Sequence, residues 1–344
     1  MLVTQLNRRH LLSILIMKVI AFPHKPGKGG PGSFQVRFEQ ALINKGYQVA
    51  YAGDAVNPDL VFVVGGTKRL GWLIKMKLKG VPIVHRLDGL SWLHRRQDFR
   101  SLLFGEWGNL VFKFIQAFIA THVVYQSLFV KNWWDRVGWR VPKNYSIIHN
   151  GVDLEEFNPV LLESPKLEVI CVEGTLDYSP YAVSLVNYIS DRLLEVDDVS
   201  GIVLYGNFKY ESSQQRLNNN IEYKGSIKRE DLSGVYKNGI YLSLDINPAC
   251  PNAVIEAIAS GLPVVGYNTG ALKEVVGEAG VLADFGSNQW GYQDPNFSNL
   301  LKAILEVVNN YEHYRTNALD LSSKFDLNIM VDRYIEIIKN LNEV

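Results

Sequence analysis

The 344-residue chain has few cysteines, no net charge and no long apolar run. Its two cysteines, Cys171 and Cys250, cannot build a disulfide framework. They fit a reducing, cytosolic compartment as buried thiols. Lys plus Arg and Asp plus Glu number 35 each, so the net charge is zero and the basic excess of a nucleic-acid binder is missing. No apolar stretch reaches the roughly 18–20 residues that span a bilayer. The best, "NLVFKFIQAFIATHVVY", is broken by Lys113, Gln116 and His122. No group of His, Cys and Asp has metal-ligand spacing, so no metal is expected. Neither half opens with G-x-G-x-x-G, which argues against a nicotinamide-dependent enzyme. There is no short-period repeat, low-complexity tract or block of like charge.

What is present is alternation. The runs "MKVIAF", "YQVAYA", "DLVFVVGG", "VPIVHRLDG", "THVVYQS" and "YSIIHNG" read as strands, separated by helix-length segments. In "SFQVRFEQALINKG", Phe34, Val36, Phe38, Ala41 and Leu42 are read as one helical face, and Gly46 as the stop. The second half repeats the pattern with "LEVICVEG", "GIVLYGN", "IEYKGS", "GIYLSLD", "LPVVGY" and "AGVLADF". This predicts an α/β protein of two doubly wound parallel sheets. Ligands of such sheets bind outside the carboxyl ends of the strands, so two domains facing each other would form a cleft. The expected divisions are an extension over 1–16 with Met17 as the effective start, an N-terminal Rossmann-like domain over 17–160, a second Rossmann-like domain over 161–324 and an amphipathic helix over 325–344.

Two stretches could carry chemistry. In "PGKGGPGSF", Gly27, Gly29, Gly30 and Gly32 would let the backbone approach a ligand, and Ser33 would cap the next helix, whose N-terminus favours an anion. A flexible strand–helix loop explains the glycines equally well. In "NPACPNAVIEAIASGLPVVG", Asp245 ends the preceding strand, Pro248 and Pro251 shape a loop, and Asn252 or Cys250 precedes a helix. Glu256 falls about one turn in. It either complements the helix dipole or holds a vicinal diol such as a ribose, with phosphate on the neighbouring N–H groups. "NTGALKEV" repeats the theme: Asn268, Thr269 and Gly270 would open another helix, with Glu274 in its first turns.

"CPNAVIEAIASGLPVVGYNTGALKEVVGEAGVL" resembles the donor-binding segment of the family-4 glycosyltransferases, retaining enzymes of the GT-B fold. "YSIIHNGVDLEEFNP" resembles the segment leading into their interdomain linker, and "GKGGPGSF" their first glycine-rich loop. The resemblance implies that Glu256 holds the nucleotide ribose, that backbone around Pro251, Asn252 and Ala253 contacts sugar and phosphate, and that Gly29 and Gly30 approach the donor phosphates. It places Asn150 and Gly151 in the linker signature and sends the last helix back to the N-terminal domain. The departures are specific. Pro248 stands where the family often has a second acid. The region "VEGTLDYSPYAV" lacks the Arg and Lys that neutralise the departing diphosphate, leaving Lys209 and Lys224 as substitutes or ordinary surface lysines. Asp88 takes the place of a histidine near the sugar, with His85 three residues earlier, so Asp88 is the catalytic candidate.

These readings lead to a sugar transfer from a nucleotide donor to a glycan or lipid-linked acceptor, with retention and no cofactor beyond the donor. The alternative is an inactive relative that binds a glycan or a partner protein. A basic, aromatic stretch adds a possible partner. Between Thr67 and Val81 stand Lys68, Arg69, Lys75, Lys77 and Lys79 with no acid, and Trp92, His94, Arg95, Arg96 and Arg100 follow. This 68–100 region is either a solvated helix face or a contact with an anionic membrane, at its inner face.

Overall fold

The computed structural model describes residues 18–342 except 28, 97, 160–165 and 292. The expected extension over 1–16, and Met17, lie outside the described residues. The chain divides into two compact units. One comprises residues up to Tyr125 together with Trp133–Ile147 and the segment from Val331 onward; the other comprises Gln126–Asn132 and Ile148–Met330.

The first unit holds strands β1 (Val19–Phe22), β2 (Gln48–Tyr51), β3 (Leu60–Val64), β4 (Ile83–Leu87), β5 (His122–Tyr125) and β6 (Tyr145–Ile147). They form one parallel sheet in the order β2-β1-β3-β4-β5-β6. Strands β3 and β4 are buried along their whole length, which is why their sequences read as unbroken runs rather than alternation. Helices α1 (Gly29–Asn44), α2 (Leu70–Leu78) and α3 (Phe99–Phe114) connect the strands, and α4 (Leu128–Val137) follows β5. Phe34, Phe38 and Leu42 of α1 are buried, whereas Val36 is exposed, contrary to the expected face. The i, i+4, i+8 spacing puts the first three in line, and a residue two positions on points away. Phe34, Phe38 and Phe62 gather around Tyr334, with ring centroids 4.7–5.7 Å apart for the Phe38–Phe62, Phe38–Tyr334, Phe62–Tyr334 and Phe34–Tyr334 pairs.

The second unit holds β7 (Leu167–Thr175), β8 (Val199–Asn207), β9 (Ile221–Gly225), β10 (Gly239–Leu242), β11 (Val264–Tyr267) and β12 (Gly280–Ala283). Their order, β12-β11-β10-β7-β8-β9, is again wholly parallel. The order reverses direction between β7 and β10, the switch point at which open α/β sheets bind ligands. Helices α5 (Ala182–Leu193), α6 (Glu211–Gln214), α7 (Asn252–Ala259), α8 (Leu272–Val276), α9 (Phe297–Asn309) and α10 (Tyr311–Ser322) complete the layers, and α11 spans Leu327–Asn342. One core packs α5 and α9 on the sheet through Leu185, Ile189, Leu300 and Ile304. The other packs α7 and α8 on it through Val254, Ile258, Leu272 and Val275.

Candidate functional site

A pocket of about 240 Å³ opens in the second unit at that switch point. Glu173, Thr175, Leu176, Tyr178 and Ser179 enter from the end of β7 and the turn after it, Ala182 from α5, and Leu244 and Asp245 from beyond β10. Among the described residues that line it there is no Arg or Lys. Instead two carboxyls face one space. Burial pushes both pKa values up, Glu173 to about 8 and Asp245 to about 6, and the Asp245 charge raises Glu173 further. Both carboxyls are thus biased toward the protonated form, which can donate a hydrogen bond as well as accept one.

The raised values fix a pH dependence. A carboxyl that keeps its proton to about pH 8 in the fold, against an ordinary 4.5, binds more protons folded than unfolded across that window. Stability then falls as pH rises from about 4.5 to about 8. Glu173→Gln should flatten that fall and raise the melting temperature at pH 8 relative to the parent; thermal unfolding at pH 5 and pH 8 reads it. An unchanged slope would remove Glu173 as its source.

Beyond β10 the chain enters the loop that leads to α7. Asn247 adopts φ 53°, and its backbone N–H donates to Thr269 Oγ1 at 3.2 Å. Its Nδ2 is buried and meets no acceptor among the described residues. Ala271 N–H donates to the Pro248 carbonyl at 2.9 Å, which ties the two loops together. Ser127 Oγ donates to the Ala249 carbonyl at 2.6 Å. Asn150 is 5 % exposed, and its Nδ2 donates to the Cys250 carbonyl at 2.9 Å and to Asn252 Oδ1 at 2.8 Å. Asn150 thus shapes the loop and directs its amide into the protein. Helix α7 begins at Asn252 behind Pro251, with no side chain capping it. Pro251, Asn252 and Ala253 are half-buried, and the first-turn N–H groups of a helix have no partner within it. Glu256 is 4 % exposed, beside Tyr241, whose hydroxyl donates to the Val172 carbonyl at 3.0 Å.

The remaining candidates fall into different roles. Helix α8 starts at Leu272, one turn later than the expected opening at Asn268, because Thr269 and Gly270 are committed to the 247–248 loop. Asn268 is exposed and Thr269 is buried. Glu274 does not open α8 toward a ligand. Its carboxylate accepts from the N–H groups of Leu128 (3.0 Å) and Phe129 (3.1 Å), capping α4. Lys209 lies over the Tyr210 ring, and Lys224 pairs with Glu222; neither lines the pocket.

In the first unit, Gly29 and Gly30 belong to α1 rather than to a loop, and Ser33 lies inside that helix and not at its cap. Pro31 is tolerated there because first-turn N–H groups have no helical partner. Gly32 is the sterically required glycine: a Cβ there would stand 1.9 Å from the Gly27 carbonyl oxygen. His85 is fully buried, donates from Nε2 to the Gly65 carbonyl at 2.7 Å, and is held neutral by burial, with its pKa lowered to about 4. It is a core residue. Asp88 Oδ1 accepts from Arg86 Nη1 at 2.8 Å. Sequence reasoning missed Glu173, which nothing local distinguishes, and noted Asp245 only as a strand end.

Residues 197–318 match the family model "Glycosyl transferases group 1", which covers less than half of the chain. No curated protein matches the chain. Solved structures match over nearly its whole length. The sucrose-phosphate synthase of Thermosynechococcus elongatus has a TM-score of 0.71 at 16% identity, over 94% of this chain and 99% of its own. The Anabaena protein HepE, in complex with UDP and glucose, has 0.67 at 14%, over 94% and 100%. A glycosyltransferase from Rickettsia africae has 0.65 at 16%, over 95% and 99%. With its two parallel Rossmann-like units, the chain has the fold of the GT-B glycosyltransferases.

Proposed function

We propose that the protein is a glycosyltransferase that moves a sugar from a nucleoside-diphosphate donor to a glycan or lipid-linked acceptor in the cytoplasm, with retention of configuration. The observation that carries this is the pocket at the β7/β10 switch point, within a few residues of an uncapped α7, in a unit that contains the matched family segment. In this reading Glu256 holds the ribose. The α7 N–H groups around Pro251, Asn252 and Ala253 receive the phosphates. The buried Asn247 amide supplies a further donor. The anomeric C–O bond breaks with its electron pair on the diphosphate, and the acceptor oxygen bonds to the anomeric carbon. The acceptor proton passes to the departing phosphate oxygen. With no lysine or arginine on the pocket wall, helix N–H groups and a protonated Glu173 stabilise that charge. HepE, bound to UDP, supports uridine as the base to try first.

The test is thermal unfolding against UDP, GDP, ADP and dTDP and their sugar conjugates, with Glu256→Gln alongside. One nucleotide at about a hundred times its Kd should add about 2.7 kcal/mol, raising the melting temperature by roughly 5–10 °C. The variant should lose that shift while melting normally without ligand. No shift with any nucleotide would overturn the reading. That the described residues lining the pocket include no Lys or Arg favours a second reading, an inactive relative that binds a glycan or a partner; donor-dependent product formation would dismiss it.

A further inference from the structure

We infer that helix α3, together with the basic face of α2, is an interfacial anchor that lies on an anionic lipid bilayer. The inference stands on this surface alone and not on the transferase reading. Helix α3 turns much of its apolar surface outward. Its one fully buried side chain is polar: Asn109 turns inward, donating from Nδ2 to the Ser91 carbonyl at 2.8 Å and accepting from Ser91 N–H at 3.1 Å. Val111, Phe112 and Phe114 pack inward at its end, but five large apolar side chains before them turn outward. Phe104 is 78 % exposed and Trp107 67 %, with Phe99, Leu103 and Leu110 also exposed. Positions 99, 103, 107 and 110 repeat at i, i+4, i+8 and i+11, so they form one continuous stripe. A contiguous apolar face of this kind marks an interaction surface.

Helix α2 packs beside the C-terminal end of α3. Leu73 and Met76 share a core with Ile115 and Ile119, against which Val111 and Phe114 of α3 also pack. On the outer side of α2, Leu78 is 83 % exposed among Lys75, Lys77 and Lys79.

The charge selects the occupant. Lys68, Arg69, Lys75 and Lys79 are exposed on and beside α2, and Arg100 is exposed in the first turn of α3. The two acids on α3 and at its start are engaged: Asp98 caps the helix through the N–H groups of Arg100 and Ser101, and Glu106 pairs with Arg95 at 2.6 Å. A second copy would bring two faces of like charge together, which opposes association. Anionic headgroups complement the lysines, while Trp and Phe side chains suit the headgroup–acyl boundary. Among the described residues no helix is long and apolar enough to cross a membrane, so α3 would lie in the plane of the interface.

The test is co-sedimentation of the full chain with phosphatidylcholine vesicles, with and without phosphatidylglycerol. The variants are Phe104→Ser/Trp107→Ser and Lys75→Glu/Lys79→Glu. Binding should require phosphatidylglycerol and fall roughly tenfold in each variant, with the melting temperature unchanged. Tryptophan emission should shift to the blue on binding and lose most of that shift in the first variant. Absence of binding to either vesicle would hand the surface to a protein partner and overturn the inference. So would binding unaltered by both variants, or a dimer in light scattering that Phe104→Ser/Trp107→Ser dissociates.

Discussion

Asp88→Ala is expected to destabilise the first unit by about 3–5 kcal/mol, the usual result of removing one member of a buried ion pair. Arg86 is 1 % exposed and its guanidinium lies 3.8 Å from the centroid of Phe34, in the wall of the aromatic core. Its Nη1 donates to Asp88 Oδ1 at 2.8 Å, and Asp88 is itself only 19 % exposed. Removal of the carboxylate strips a desolvated cation of this acceptor and opens a cavity beside it. Asp88→Asn keeps an acceptor oxygen and should cost less. Urea unfolding followed by tryptophan emission reads both, since Trp134 Nε1 donates to the Asp88 carbonyl at 2.9 Å. The result also bears on catalysis. If Asp88 acts on substrate alone, both variants will retain stability and lose transfer. If it serves Arg86, transfer will fall in step with the folded fraction.

Gly270→Ala should cost about 2–5 kcal/mol, from the left-handed backbone and the overpacking together. Gly270 sits at φ 61°, and a Cβ there would come within 2.4 Å of the Pro248 nitrogen and 2.5 Å of the Asn247 carbonyl carbon. Neither is the end of a flexible side chain, so the loop must move. That loop carries Asn247 and leads into α7, so the proposed donor site should be lost along with stability. Nucleotide-induced stabilisation measured below the variant's own melting range separates the two effects. Full stabilisation in a folded Gly270→Ala protein would mean that the 247–248 loop does not shape the site.

The strands were legible because a parallel sheet buried on both faces writes itself as short apolar runs, as "LVFVV" does at Leu60–Val64. The start of α1 was not, because Gly-Gly-Pro-Gly reads as a breaker although a first helical turn accepts proline. Glu256 and the α7 loop were legible from local pattern. Glu173 and Asp245 were not: they lie far apart in sequence, and only the pairing of β7 with β10 brings them to one pocket. The role of Asn150 was likewise hidden, since its partners at Cys250 and Asn252 come from a loop a hundred residues away. The exposed face of α3 was missed because only Leu110 of it falls in the run weighed as a spanning segment, and Phe99, Leu103, Phe104 and Trp107 were not read at a helical period.

The aromatic cluster of the first unit also bears on how the chain is made. Phe34, Phe38 and Phe62 are translated before Ile148–Met330 of the second unit, but Tyr334, which closes their cluster, is translated after it. Strands β1 to β6 can pair during elongation, yet their phenylalanines wait for a tyrosine encoded after the whole second unit. The second unit has no such debt to later sequence, because its residues end at Met330. Vectorial synthesis thus completes the later-encoded unit first and leaves the earlier one with an open apolar seam, the interval in which a nascent chain most needs a chaperone.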